Sequence, residues 1–274
     1  MRYLVERQDL VPFFNANGTG KNFTLSFYVK AYQTGTYQVA IYKSTGPRFI
    51  ARTYTIASSG VWQRVVLNFP GDTNTSGMTA DSSSGFQISW IFAAGTNYTS
   101  GSTQTTWGSW PGNPGFAAGH AVNVASSANN YWRITGIQLE VGDIATPFEH
   151  RSYGDTLMNC YRYYAKIFTN TSDFPFGVGY KYSAGAHACS VQLPTRLRGT
   201  PTCTFDNLRI RGGNTGGNNH EDNVTGIGGM SYSNANFQSF TANTTQNNTS
   251  IGQTVVLTNA VSNNTSYIAF DAEL

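Results

Sequence analysis

Between Phe23 and Ala31 apolar and polar residues alternate without a break: Phe23, Leu25, Phe27, Val29 and Ala31 hold one parity, Thr24, Ser26, Tyr28 and Lys30 the other. A side-chain period of two sorts these residues onto opposite faces only in an extended strand, which predicts a half-buried antiparallel β-strand. Tyr37, Val39 and Ile41 take up the pattern after the Thr34-Gly35 turn. Phe49 to Ile56, Val61 to Phe69, Phe86 to Phe92 and Tyr131 to Val141 are further strands, each bounded by Gly, Pro or Ser. In the last of these the apolar parity changes from Trp132 and Ile134 to Ile137, Leu139 and Val141. One extra residue at Gly136, a β-bulge, produces such a switch. Trp62, Trp90 and Trp132 fall on strand phases and are expected in the core. Short antiparallel strands separated by polar loops predict a two-sheet sandwich, a jelly roll.

The second half is richer in Gly and Asn. Its strands are read at Tyr161 to Thr169, Ala186 to Leu193, Thr202 to Arg211, Phe237 to Thr241, Gln253 to Leu257 and Ser266 to Ala272. The stretch Arg211 to Asn223 has almost no apolar residue to bury and is expected to be an exposed loop. Helix is nearly absent, with Asp155 to Tyr163 the one helical stretch and Asp155 its cap. The fold class is therefore all-β, with a jelly-roll β-sandwich followed by a smaller β-sandwich. The boundaries read from the chain are 1–146, a junction at 147–160, and 161–274, with Pro147 holding Thr146 extended.

Only 11% of the residues are charged, against about a quarter in an average chain. The surface must therefore be covered by hydroxyls, amides and glycine. The net charge of +3 comes from scattered bases, whereas nucleic-acid binding needs a basic stripe. Arg196, Arg198, Arg209 and Arg211 form the nearest thing to one and read as a solvated strand edge. Cys160, Cys189 and Cys203 show no Cys-x-x-Cys spacing and are expected as buried free thiols, in keeping with a reducing cytoplasm. No apolar run approaches the ~18 residues of a membrane helix, and no signal peptide opens the chain.

Catalytic motifs are not found. There is no Gly-x-Ser-x-Gly elbow, and His120, His150, His187 and His220 stand in unrelated contexts. His150 is expected to fix the junction, and His187, in phase with Cys189 and Val191, to be a satisfied core histidine. Glu140, Glu149, Asp72 and Asp81 lack the support that a glycosidase pair needs. His220, Glu221 and Asp222 are adjacent and show no zinc or EF-hand spacing, so neither metal nor cofactor is expected. What remains is aromatic. Tyr98, Trp107, Trp110 and Phe116 lie among Gly, Ser and Thr between two strands, outside any core alternation. Exposed rings flanked by hydroxyls and amides stack on sugar faces, which makes Tyr98, Trp107 and Trp110 candidate ligand-binding residues. The alternative is that Trp107 and Trp110 plug the end of the sandwich under a long loop.

Two strings, Leu139-Glu-Val-Gly142 with Ala145-Thr-Pro-Phe-Glu-His-Arg-Ser-Tyr-Gly154 and Cys160-Tyr-Arg-Tyr-Tyr164, join the halves. They resemble the junction of tail-fibre-like virion structural proteins of marine and cyanobacterial bacteriophages. Upstream the resemblance takes in Leu25-Ser-Phe-Tyr-Val-Lys30, Phe69-Pro-Gly-Asp-Thr73 and Ala93 to Ser100; downstream it includes Leu193 to Arg198 and Phe270 to Leu274. The first half is also similar, in strand spacing, to carbohydrate-binding-module jelly rolls, some of which carry a structural calcium. These resemblances imply a non-enzymatic fibre or decoration protein on the virion, a homotrimer among other virion proteins, that recognises a host-surface glycan. They imply as well that Arg2 to Gln8, a strand-like opening, belongs inside a longer fibre or is completed by a partner. A glycan depolymerase, a secreted lectin and a purely architectural capsid decoration are the alternatives.

Overall fold

The computed structural model describes residues 1–171, 174–212, 220–230, 236–245, 249–259 and 266–273. The chain is 48% strand and 11% helix, an all-β fold. It divides into two compact units, Met1–His150 and Arg151–Glu273. Among the described residues the strands pair antiparallel.

The first unit is a jelly-roll-like sandwich built from β1 (Arg2–Glu6), β2 (Phe23–Ala31), β3 (Gly35–Lys43), β4 (Arg48–Ile56), β5 (Gln63–Phe69), β6 (Ser84–Trp90) and β7 (Trp132–Val141). One sheet runs β1-β6-β3-β4 and the other β5-β2-β7. Their facing residues form one core, in which Phe23 stacks on Phe69 at 5.0 Å and Phe27 meets Trp90 edge-on at 6.0 Å. The parity switch in β7 is a bulge: Ser26 pairs with Gln138 but Tyr28 with Thr135, and Gly136 has φ +58°. Two expectations fail here. The strand read at Arg2 to Gln8 ends at Glu6, and Arg7–Leu10 is a helical turn. Trp62 is exposed, because Val65, Leu67 and Phe69 face inward and Trp62 holds the opposite parity.

The polar face of β2 is not left to water. Thr24 Oγ1 donates to the Gly142 carbonyl at 2.7 Å, and Asn68 Nδ2 to that of Asp143 at 3.0 Å. Gln138 holds Thr146 Oγ1 and the Glu149 N–H, while Arg64 reaches the Thr146 carbonyl. The Phe148 ring lies beside Gly136 and meets His150 edge-on at 5.0 Å. Residues 142–150 therefore cover the outer side of the three-stranded sheet. The first unit extends to His150, four residues beyond the boundary at 146 read from the sequence.

The second unit opens on a helix, Tyr153–Tyr161. Its cap is Ser152, whose Oγ accepts from the Asp155 N–H, and Asp155 occupies the third helical position instead of the cap. Its strands are β8 (Tyr164–Thr169), β9 (Pro175–Ser183), β10 (Ala186–Gln192), β11 (Thr202–Asp206), β12 (Leu208–Gly212), β13 (His220–Gly228), β14 (Phe237–Thr244), β15 (Thr254–Asn259) and β16 (Ser266–Asp271). The order β10-β14-β13-β12-β15-β9 closes on itself, and β11-β16-β8 forms a second layer. Val191, Ile210 and Leu257 of the closed sheet share a core with Ile268 and Phe270 of the open one. The single strand expected at Thr202 to Arg211 is two, because Asn207 adopts φ +51° and sends β11 and β12 into different sheets. The expected loop at Arg211 to Asn223 is strand at Arg211 and Gly212, the end of β12, and again from His220 onward, while its residues 213–219 lie outside the described ones.

Candidate functional site on the outer face of the four-stranded sheet

Strand pairing fixes which residues share the outer face of β1-β6-β3-β4. Arg2, Ser89, Ala40 and Ala51 make one row across the strands, and Leu4, Gln87, Tyr42 and Phe49 the next. Ala40 and Ala51 are small, so the face dips between the larger side chains. The long connection from β6 to β7 lies over part of it. Buried Gln38 pins that connection from below, its Nε2 donating to the Phe116 carbonyl at 2.8 Å and its Oε1 accepting the Gly119 N–H at 2.7 Å. At the free edge of β4, Phe49 and Gly108 exchange backbone hydrogen bonds and the Ala51 N–H reaches the Gln104 carbonyl. This covers an edge that would otherwise invite pairing.

Ring packing follows from these anchors. Phe116 sits on Ala40, Phe49 and Ala51. Trp110 packs on Phe116 at 5.5 Å and edge-on to Phe49 at 5.4 Å and Tyr42 at 6.1 Å, and Tyr98 reaches Phe116 from the far side at 6.5 Å. Tyr98 and Trp110 remain 43% and 44% exposed. An open cavity of about 310 Å³ lies between Trp110, Phe116, Tyr42, Gln87, Ser89 and Arg2. A wider one of about 740 Å³ adjoins Tyr98 and shares Arg2, Ser89 and Phe116 with it.

The candidates from sequence separate here. Tyr98 and Trp110 come together around Phe116. Trp107 is diverted: its Nε1 donates to the Pro70 carbonyl at 2.7 Å, and its ring packs on the core beside Phe86 at 5.9 Å and Phe23 at 6.5 Å. Arg2, Gln38 and Gln87 were missed. They lie in strands remote in sequence from the aromatic loop, and only strand register brings them beneath it.

Part of the remaining candidate chemistry is buried. His187, Lys181, Asp222 and Gln238 are fully enclosed in the second unit. His187 Nε2 shares a 2.9 Å hydrogen bond with Thr249 Oγ1, and Lys181 Nζ donates to the Thr249 carbonyl at 2.5 Å. Glu221 and Asp222 diverge as neighbours on a strand must: Glu221 pairs outside with Arg209 and Arg211. Of the three thiols expected to be buried, only Cys189 is; Cys203 is partly buried and Cys160 is exposed on the helix, and burial pushes the pKa of Cys189 and of Cys203 up to about 12. No group of three or more His, Cys, Asp or Glu among the described residues could hold a metal ion. No described helix is long and apolar enough to cross a membrane.

Burial lowers the pKa of His187, helped by Lys181 and opposed by Asp222. Burial also lowers that of His120, which packs edge-on to Tyr37 in the first unit. A histidine that binds its proton less readily folded than unfolded stabilises the fold above the unfolded value and loses that contribution as pH falls. Urea midpoints of both units are therefore expected to fall as pH drops through about 6.5. His187→Gln should flatten that slope in the second unit, and hydrogen exchange across the titration would detect it.

No family model, curated protein or solved structure matches the chain. Its site is read from its own chemistry.

Proposed function

We propose that this chain is a bacteriophage virion structural protein, a fibre or decoration component, that recognises a host-surface glycan through the pocket of Tyr98, Trp110 and Phe116. The observation that carries the recognition is the pocket itself. Half-exposed rings on a rigid sheet are bordered by an amide, a hydroxyl and a guanidinium, groups that bind a sugar instead of moving protons. The virion assignment rests on the likeness of the junction strings and of the flanking segments to tail-fibre-like proteins. The junction covers the outer side of a sheet, which supports an architectural role for that string. By the same likeness the assembly is a homotrimer carried on the particle beside other virion proteins.

Glycan-array binding followed by titration tests the recognition. Trp110→Ala is expected to weaken binding about tenfold, or about 1.4 kcal/mol. Trp107→Phe, which changes a ring turned into the core, is expected to leave affinity unchanged while lowering thermal stability. Equal affinities for the wild type and Trp110→Ala would remove the site. Antibody labelling of particles separates tail-tip from capsid attachment. Release of reducing sugar from host polysaccharide would favour a depolymerase, and labelling on the capsid with no glycan bound would favour an architectural decoration.

A further inference from the structure

The cavities beside Phe116 share one charged side chain, Arg2. It stands on the outer face of β1, paired in register with Ser89 and one row from Gln87. No Asp or Glu lines either cavity. Several other guanidinium groups are engaged by carboxylates: Arg7 by Asp81, Arg48 by Asp72, Arg209 and Arg211 by Glu221. Arg2 makes no side-chain hydrogen bond or ion pair among the described residues. It lines the pocket beside Trp110 with no partner among the described residues taking up its guanidinium donors.

We infer that the pocket selects acidic glycans, with the Arg2 guanidinium taking a carboxylate or sulfate substituent while Trp110 and Tyr98 stack on the ring that bears it. This inference rests on the glycan-binding reading of the same site and adds the substrate class. A planar guanidinium presents two parallel donors that match the paired oxygens of a carboxylate or sulfate. The absence of an acid from the lining means that a bound anion meets no like charge there, and a cationic amino sugar would be repelled. Because Arg2 is exposed, its attraction works through water and is screened by salt, whereas ring stacking is not.

The test is calorimetric titration of the full chain with three oligosaccharides of matched length: an oligogalacturonate, a sulfated galactan fragment and a neutral galactan fragment. Each is measured at about 0.05 M and about 0.5 M salt. The wild type is expected to bind at least one acidic oligosaccharide about tenfold more tightly than the neutral one at low salt, with the advantage shrinking at high salt. The tighter of the two acidic ligands identifies the anion as carboxylate or sulfate. R2Q should reduce acidic affinity to the level of the neutral ligand and leave the melting temperature unchanged. An R2Q protein that keeps the acidic preference, or a wild type that shows none, overturns the inference. Trp110→Ala separates the two levels. Neutral binding that depends on Trp110 but shows no acidic preference sinks the role of Arg2 alone, whereas binding indifferent to Trp110, or no binding at all, sinks the site.

Discussion

Asp72→Ala is expected to destabilise the first unit by about 3–5 kcal/mol, the usual cost of stripping one partner from a buried ion pair. Lys43 faces the interior of the sandwich, fully enclosed, with its Nζ 2.7 Å from Asp72 Oδ2. The Ser76 carbonyl accepts from the same ammonium at 3.0 Å, and the Phe14 ring lies 5.4 Å from it. Arg48 approaches the other carboxylate oxygen at 3.1 Å, and the Asn74 N–H donates to it at 3.1 Å. One carboxylate thus neutralises a buried ammonium, ties down β4 and shapes the 72–76 turn. Alanine would leave the ammonium enclosed with no counter-charge. Lys43→Met should cost much less, because the remaining Asp72 keeps Arg48 and the Asn74 N–H, and an apolar stem refills the space. The readout is clean. Of the 5 tryptophans in the chain, Trp62, Trp90, Trp107, Trp110 and Trp132 all belong to Met1–His150, so urea denaturation followed by tryptophan fluorescence reports this unit. A loss for Lys43→Met as large as that for Asp72→Ala would mean that the pair itself stabilises the fold, against the argument from desolvation.

The sequence reveals elements whose burial follows a period and conceals those whose interior is polar or empty. Phe23 to Ala31 could be read directly, and so could the bulge at Gly136, because a parity switch has few other causes. Strand β9 could not. After the buried Phe176 its inward positions are Gly177, Gly179 and Lys181, while its exposed positions are Val178, Tyr180 and Tyr182, so from Gly177 on the ordinary pattern is inverted. Strand β13 begins His220-Glu-Asp-Asn223, which reads as loop until Asp222 is found enclosed near His187. The site divides along the same line. Tyr98 and Trp110 stand out as aromatics off any strand phase, but nothing local distinguishes Trp110 from Trp107, whose fate is set by the distant Pro70 carbonyl. Arg2 becomes part of the pocket only through the register of β1 on β6, more than eighty positions away.

The inverted strand supports the second large expectation, that Gly179→Ala destabilises the second unit by about 3 kcal/mol, the upper end of ordinary overpacking. A Cβ at Gly179 would stand 2.2 Å from the Ala188 carbonyl oxygen and 2.9 Å from Cys189 Sγ. The sulfur can swing aside, but the oxygen is part of the β9–β10 ladder, in which Gly179 pairs with Cys189 and Tyr180 with Ala188. Relief therefore requires the strands to part, and β9 closes the ring between β10 and β15. A local clash thus becomes loss of closure. Hydrogen exchange should accelerate in Ala186–Gln192 and Thr254–Asn259, the two strands that flank β9, more than in the open sheet of β8 and β16. Val178→Thr, one position away and pointing outward, is expected to change stability by no more than about 0.5 kcal/mol. If Gly179→Ala proved as mild as Val178→Thr, β9 would have room on its inner side. The inward glycines would then no longer explain how six strands close so tightly around this core.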